Sequence, residues 1–117
     1  AAALETTANL YEGRKIAVLG DMLELGDAAE EVHRTIGRRT AELGFAALVT
    51  YGPQSQWMHT AAATAGCPDC RHAETHKEAA AHLRTLLRDG DTVLFKGSRG
   101  MKMEAVIALL TEGEAGY

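Results

Sequence analysis

Short apolar runs recur along the chain and predict β-strands. Lys15–Gly20 (KIAVLG), Ala47–Gly52 (ALVTYG) and Thr92–Gly97 (TVLFKG) are apolar at consecutive positions and rich in β-branched residues. Runs that are apolar on both faces are typical of strands buried inside a parallel sheet. Cys70–Thr75 (CRHAET) is more polar. We therefore expect a fourth strand there, at an edge of the sheet.

Helical patterns fill the segments between these runs, and their ends carry capping signals. Asp27 with Glu30, and Thr75 with Glu78, have the spacing of capping boxes. Pro53 fits the first position of another helix, where its missing N–H costs nothing. Glycines follow these three helices as stop signals, at Gly44, Gly66 and Gly90.

Each predicted helix has a stripe of apolar residues that can face a core. The stripes comprise Val32, Ile36 and Leu43 in the first helix; Trp57, Met58, Ala61 and Ala65 in the second; Ala79, Leu83, Leu86 and Leu87 in the third; and Met103, Val106, Ile107 and Leu110 in a fourth that begins near Met101. Residues 1–10 have the pattern of the end of a further helix.

The order of elements is therefore a helix followed by four strand–helix units. Such alternation predicts a Rossmann-like three-layer α/β fold, with a mostly parallel sheet of at least four strands and helices on both faces. Right-handed crossovers favour the strand order 3-2-1-4. We expect residues 1–117 to form one domain, with a frayed tail at 112–117.

Composition and charge exclude several classes of protein. The chain has 117 residues, 46% of them hydrophobic and 24% charged, with a net charge of −4. This balance is typical of a globular domain and gives no indication of a nucleic-acid or membrane partner. The N-terminal stretch lacks the pattern of a secretion signal. The two cysteines make no disulfide scaffold, so we expect a cytoplasmic protein.

Two loops carry the most unusual chemistry of the sequence. Ligands of open α/β sheets bind beyond the carboxyl ends of the strands, where the strand order reverses. In the order 3-2-1-4 that point lies between strands 1 and 4, so GDMLELGD (Gly20–Asp27) should face KGSRG (Lys96–Gly100). The candidate binding residues on these loops are Asp21, Glu24, Lys96, Ser98 and Arg99.

The spacing of the glycines excludes two familiar phosphate-binding motifs. Neither loop has the G-x-G-x-x-G dinucleotide fingerprint or the Walker A pattern. KGSRG can still hold an anion if it leads into a helix N-terminus, and Arg99 adds a planar donor fork. We expect Lys96 to be half-buried at the end of its strand. His33 lies early enough in its helix to reach the crevice. The alternative is that the first loop is an ordinary strand-to-helix connection with solvated acids.

The segment CPDCRHAETH contains potential metal ligands, at Cys67, Cys70, His72 and His76. Zinc sites commonly separate two pairs of ligands by about a dozen residues, whereas a single residue separates Cys70 from His72 here. We therefore expect structural cysteines and no metal site. His59 and His82 are expected on helix surfaces.

The two loops in their context resemble the C-terminal domain of the Mur ligase family. The resemblance rests on RKIAVLGDMLELGDAAEEVHRTIG and, much later, VLFKGSRGMKMEAVI, and it extends from about Ala1 to Leu110. It implies part of an ATP-dependent amide ligase of peptidoglycan synthesis, which adds D-Ala-D-Ala to a UDP-N-acetylmuramoyl-tripeptide through an acyl phosphate. CPDC does not belong to the family pattern.

The resemblance also implies which domains of the ligase bind which substrates. ATP and Mg²⁺ would be bound mainly by a central domain with a P-loop, and the UDP-sugar by an N-terminal domain. The P-loop and the UDP-sugar-binding part do not occur in this chain, so we expect it to be inactive alone. We also expect it to be monomeric. The resemblance places Lys96, Ser98 and Arg99 near a phosphate or the dipeptide carboxylate, and Asp21 and Glu24 near the acceptor amine or cations. His33 belongs to the same matching region. A receiver domain fits poorly, whereas a stand-alone nucleotide-sensing module is the alternative function.

Overall fold

The structure is a computed structural model that describes the backbone of residues 2–115 and the side chains of residues 2–111. Strands and helices alternate along the described chain. The strands are β1 (Lys15–Gly20), β2 (Ala47–Tyr51), β3 (Asp69–Ala73) and β4 (Thr92–Lys96). The helices are α1 (Ala2–Leu10), α2 (Ala29–Glu42), α3 (Ser55–Thr64), α4 (His76–Leu86) and α5 (Glu104–Ala115), with 3₁₀ turns at Gly26–Ala28 and Arg99–Met101.

The four strands form one parallel sheet in the order β3-β2-β1-β4, which confirms the predicted order. The central strand β1 pairs with β2 on one side and with β4 on the other. Leu19 lies beside Thr50 in one pairing and beside Lys96 in the other. Residues 16–20 of β1 are all buried, as their continuous apolar run predicted. The predicted edge strand is β3, which ends before Thr75 because that residue caps α4.

The sheet separates two cores, so the predicted three-layer fold is confirmed. Alternate residues of β1 point to opposite faces. On one face Ile16 and Val18 pack against α4 and α5, and on the other Ala17 and Leu19 pack against α1, α2 and α3. The largest buried residue, Phe45, belongs to the second core.

Of the three helix starts predicted from the sequence, one agrees with the structure and two differ. The hydroxyl of Thr75 accepts the Glu78 N–H at 3.0 Å, and Glu78 in return accepts the Glu74 N–H at 2.8 Å. The predicted cap at Asp27 is wrong, because this residue lies inside a 3₁₀ turn and α2 begins at Ala29 without a side-chain cap. Pro53 also lies outside its predicted helix, since α3 begins at Ser55.

The buried face of α2 differs from the predicted apolar stripe. Its buried residues are Ala29, His33, Gly37 and Thr40, whereas Val32, Ile36 and Leu43 are only half-buried. The reason is a close approach to α3. A Cβ at Gly37 would lie 2.3 Å from the Met58 carbonyl oxygen, so only glycine fits there. Small and polar residues therefore form the contact face. In the predicted stripe of α3, Met58 and Ala61 are buried, but Ala65 lies beyond the helix and is exposed.

The last helix begins later and ends later than its pattern predicted. It begins at Glu104 and continues to Ala115, so residues 112–115 of the expected tail are helical, and residues 116–117 lie outside the described chain. Met103 and Val106 are buried, whereas Ile107 is 44% exposed. Among the described residues, no helix has the length and apolar character to cross a bilayer.

An ion pair joins the amino ends of β1 and β4, at the opposite end of the sheet from the two loops. Arg14 donates to both carboxylate oxygens of Asp91, at 3.0 and 3.2 Å, and to the Leu86 carbonyl at 2.9 Å. The Arg14 guanidinium holds the pKa of Asp91 below its usual value. This pair fixes the start of β4 beside β1 and so supports the register that brings the two loops together.

Candidate ligand-binding site at the carboxyl ends of the central strands

The loops that follow β1 and β4 lie against each other. The Ser98 N–H donates to the Asp21 carbonyl at 3.0 Å, and the Leu23 N–H donates to the Ser98 hydroxyl at 2.7 Å. Ser98 therefore holds its own loop to the first loop through both its backbone and its side chain. The position is the one predicted from strand order, at the reversal between β1 and β4.

Glycines permit this close contact between the loops. A Cβ at Gly97 would lie 3.1 Å from the Gly20 Cα, and a Cβ at Gly20 would lie 2.6 Å from the Met103 sulfur. The first distance is tighter than most side-chain carbons have, and the second would force the Met103 side chain to move. The glycines that follow β1 and β4 thus favour the close packing of the loops.

Asp21 is a buried carboxylate with internal partners. It is 1% exposed, and it accepts hydrogen bonds from the Gln54 N–H at 3.1 Å and from the Ser55 N–H and hydroxyl, both at 2.7 Å. It therefore caps the N-terminus of α3 from a distant part of the chain, where the helix dipole favours a negative charge. Its predicted contact with a ligand stays a prediction.

His33 also supports the first loop from within. Its ring is fully buried, and its Nε2 accepts the Met22 N–H at 3.0 Å. Nδ1 therefore carries the proton and donates to the Ala29 carbonyl at 2.6 Å. The ring lies edge-on to Trp57, with centroids 6.0 Å apart. The neutral imidazole thus fixes the backbone directly after Asp21, and its predicted ligand contact likewise stays a prediction.

Glu24 lies at the exposed tip of the first loop. Its φ of 64° is in the left-handed region, which is uncommon for a residue with a side chain. Such a conformation costs about 1–3 kcal/mol and persists where surrounding contacts hold it. The hydrogen bonds that the Met22 and Leu23 N–H groups donate to His33 and Ser98 supply those contacts. The Glu24 carboxylate remains available to a ligand or to another part of a larger protein.

Lys96 and Arg99 are the free cations of the site. Both side chains are exposed and have no hydrogen bond or ion pair with the part of the chain that the structure describes. The prediction that Lys96 is half-buried is wrong, because β4 is an edge strand and Lys96 is its last residue. A groove of about 400 Å³ runs past these two cations, between the end of β4 and the start of α5. An anion entering this groove would meet two unpaired positive charges and, at the start of α5, the Glu104 carboxylate.

The second loop does not lead straight into a helix N-terminus, as the sequence suggested. A 3₁₀ turn at Arg99–Met101 follows Ser98, and Lys102 then adopts a left-handed conformation with φ of 50°. α5 begins only at Glu104, so the expected anion site on its first N–H groups is displaced from Gly100. Anion binding at this loop would therefore rely on the side chains of Lys96 and Arg99.

Sequence reasoning missed a second support for this loop. Nε2 of His76 lies 2.8 Å from the Met101 carbonyl oxygen, and the His76 ring stacks on Tyr51 with centroids 4.4 Å apart. The contact joins the start of α4 to the 3₁₀ turn that carries Arg99. The only signal in the sequence is a histidine directly after the capping residue Thr75.

The cysteines contribute to the core beside α3, and His59 and His72 lie together where α3 meets β3. Cys67 is buried in the core beneath α3, and burial raises the pKa of Cys70 to about 12, so Cys70 is not a reactive thiolate at neutral pH. His72 contacts the Thr50 hydroxyl at 2.7 Å, and its ring lies 6.2 Å from that of His59. Within the described residues, no three His, Cys, Asp or Glu side chains are arranged to hold a metal ion.

The open parallel sheet and its paired loops define a Rossmann-like α/β domain with two exposed cations at one rim. The sequence profile of the "Mur ligase, glutamate ligase domain" family matches residues 1–99. The chain belongs to this family.

Individual relatives agree with the family match. The chain is 34% identical over 113 residues to the UDP-N-acetylmuramoyl-tripeptide–D-alanyl-D-alanine ligase of Bacillus subtilis. This match covers 95% of the chain and 25% of the ligase. It is 30% identical over 102 residues to the Escherichia coli ligase of the same name, in a match that covers 86% of the chain and 22% of that ligase. The chain thus spans about a quarter of the length of these relatives.

Solved structures of such ligases have the same fold. The MurF ligase of Thermotoga maritima in complex with ADP superposes with a TM-score of 0.78 at 26% identity, over 99% of this chain and 27% of that one. A MurF structure from Acinetobacter baumannii gives a TM-score of 0.83 at 31% identity, over 95% and 25%.

Proposed function

We propose that this chain is the C-terminal, substrate-closing domain of an ATP-dependent amide ligase that adds D-Ala-D-Ala to UDP-N-acetylmuramoyl-tripeptide. The observation that carries the proposal is similarity along nearly the whole chain to four ligases that all bear this name. The site adds chemical support, because two unpaired cations suit a reaction whose substrates are a nucleotide and a peptide carboxylate.

In the proposed reaction, the tripeptide carboxylate takes the terminal phosphate of ATP, and the amine of the dipeptide then displaces phosphate to form the amide. Lys96 and Arg99 would bind and orient anionic groups at the edge of this site. Their charges favour the anionic ligands that gather there, and closure of the domain would exclude water. Ser98 holds its loop in place, since its hydroxyl accepts the Leu23 N–H.

Mg²⁺ is expected elsewhere in the enzyme. The carboxylate oxygens of Asp21 already accept three hydrogen bonds, and the described residues offer no converging set of metal ligands. The residues present therefore do not fit a magnesium site of their own. We propose that a central domain outside this chain holds the metal and most of the ATP, and that an N-terminal domain holds the UDP-sugar. We further propose that residues 1–117 form a single, monomeric, cytoplasmic domain with no nucleic-acid or membrane partner.

Kinetics of the full-length ligase test this proposal. Lys96→Ala and Arg99→Ala should each lower kcat/KM for ligation by about 100-fold, because each removes a charge-assisted contact. Arg38→Ala is the matched control, since this exposed arginine lies in the second half of α2 and contacts Thr35 rather than either loop. Circular dichroism should show all three variants folded. Unchanged kcat and KM in both site variants would remove these residues from the site.

A second measurement separates the proposal from its alternative. The isolated chain should show no ATP hydrolysis, and sustained Mg²⁺-dependent turnover by the pure chain would contradict the domain assignment. If the longer protein bound nucleotide tightly but formed no amide with D-Ala-D-Ala, it would instead be a nucleotide-sensing module.

A further inference from the structure

Two histidine rings face each other where α3 packs against β3. The centroids of His59, on α3, and His72, on β3, lie 6.2 Å apart with an interplanar angle of 60°. His72 lies beside Thr50 and Thr50 lies beside Leu19 in the register of the sheet, so the pair belongs to the face that carries α1, α2 and α3. Both histidines are half-buried, so a small solute can reach them from solvent.

The Thr50 hydroxyl orients the His72 ring. Its oxygen lies 2.7 Å from Nδ1 of His72 and 3.4 Å from the Arg71 carbonyl oxygen. Both contacts are satisfied together when the hydroxyl donates to the carbonyl and accepts from the Nδ1 N–H. Nε2 of His72 then carries a lone pair. Metal-binding histidines commonly have this form, in which one ring nitrogen donates to the protein and the other is free to bind an ion.

His59 has a ring nitrogen without a partner. Its Nδ1 is buried and makes no hydrogen bond with the part of the chain that the structure describes. A buried polar atom of this kind raises the free energy of the folded state, and it calls for a partner such as a water molecule or an ion. A cation bound to the nitrogen lone pair would be such a partner.

The separation of the two rings suits a single shared ion. With metal–nitrogen distances of about 2.0–2.1 Å, two imidazoles on one ion have centroids roughly 5–6.5 Å apart, and the observed 6.2 Å lies within this range. Imidazole nitrogen is a good ligand for Zn²⁺, Cu²⁺ and Ni²⁺, whereas Mg²⁺ is bound by oxygen. The described residues offer no group of three His, Cys, Asp or Glu ligands, so water would fill the other coordination positions.

We propose that His59 and His72 form a two-histidine binding site for Zn²⁺ or a similar transition-metal ion. The ion joins α3 to β3 through one nitrogen of each ring. Sequence spacing missed this pair, because it grouped His72 with the two cysteines and placed His59 on a helix surface. The site does not depend on the proposed ligase function, and its nitrogen ligands separate it from the magnesium ion of that reaction.

Titration calorimetry with Zn²⁺ tests the site on the chain after treatment with a chelator. Wild type should bind a single ion, and a large excess of Mg²⁺ should not compete. His59→Asn and His72→Asn should each weaken binding by at least about tenfold. His82→Asn is the matched control, because α4 packs on the opposite face of the sheet, and it should bind as wild type does. Circular dichroism should show all three variants folded.

NMR spectra of the histidine ring nitrogens locate the ion. Zn²⁺ should shift Nε2 of His72, whose Nδ1 keeps its proton, together with one ring nitrogen of His59. The signals of the other histidines should stay unchanged. Thr50→Val removes the hydroxyl that orients His72 while keeping the shape of the side chain, and it should weaken binding by about 10–100-fold.

Three results would overturn the site. The first is no binding of Zn²⁺ to the wild type. The second is wild-type affinity in both His59→Asn and His72→Asn. The third is binding of Zn²⁺ by the cysteines, with the ring-nitrogen signals of His59 and His72 unmoved.

Discussion

Replacing Asp21 should destabilise the fold more than its position in a loop suggests. Its carboxylate accepts three hydrogen bonds from Gln54 and Ser55 at the start of α3, and Ser55 is fully buried. In Asp21→Ala those donors lose their acceptor without gaining water. Loss of a cap costs about 0.5–2 kcal/mol, and a buried donor left without a partner costs about 1–3 kcal/mol. We therefore expect a loss of about 3 kcal/mol in the free energy of unfolding.

Urea denaturation followed by circular dichroism measures this loss. With an m-value of about 2 kcal/mol/M, the midpoint should fall by about 1.5 M at unchanged m. Ser55→Ala removes only the hydroxyl donor and should cost about 1 kcal/mol. Asp27→Ala is the control, because Asp27 is exposed and caps no helix, and it should change stability by less than about 0.5 kcal/mol. If Asp21→Ala were as stable as Asp27→Ala, the capping role of Asp21 would be refuted.

Three further predictions concern other contacts. Gly37→Ala should destabilise the chain by about 1–3 kcal/mol in thermal unfolding, because its Cβ would collide with the Met58 carbonyl; a wild-type Tm would contradict the contact. Arg14→Ala should cost about 1–2 kcal/mol at neutral pH. Because the folded-state pKa of Asp91 is lowered, the ion pair stabilises the fold above the usual Asp pKa, and this contribution is lost as the pH falls through the folded value. The difference in stability between wild type and variant should therefore narrow in acid to what the Arg14 bond to the Leu86 carbonyl contributes. Burial lowers the pKa of His72, so the stability that its neutral ring contributes is complete above the usual His pKa near 6.5 and is lost below it. When the pH is lowered from about 7.5 to about 5.5, the urea midpoint should therefore fall less in His72→Asn than in the wild type.

The strands and their order were predictable because each signal was local or topological. The apolar runs ending at Gly20 and Lys96 lie in the structure where the sequence placed them. Right-handed crossovers and alternation then left few sheet orders, and the observed order placed the two loops together. The reciprocal cap at Thr75 was predictable for the same reason, because its partners lie within four residues of one another.

The internal roles of Asp21 and His33 were not predictable in this way. A polar residue at a loop near a crevice has the same local pattern whether it faces a ligand or a distant backbone N–H. The partner of Asp21 lies 34 residues away, at a helix start that the sequence assigned to Pro53. The buried face of α2 was missed because it depends on how closely α3 approaches Gly37. Such facts depend on tertiary packing, which a hydrophobic pattern does not encode.

The hydrogen bond between Leu23 and Ser98 spans 75 positions of the chain. Contacts of such large sequence separation form late in folding, because the entropy of closing a long loop must be overcome before they contribute. During synthesis, β1, β2 and β3 all leave the ribosome before β4, so a nascent chain has only the acidic half of the site. The cationic half arrives with Lys96 and Arg99. If the proposed site binds an anion, a growing chain therefore lacks both of its cations until β4 has been made, and binding would report that the sheet is complete.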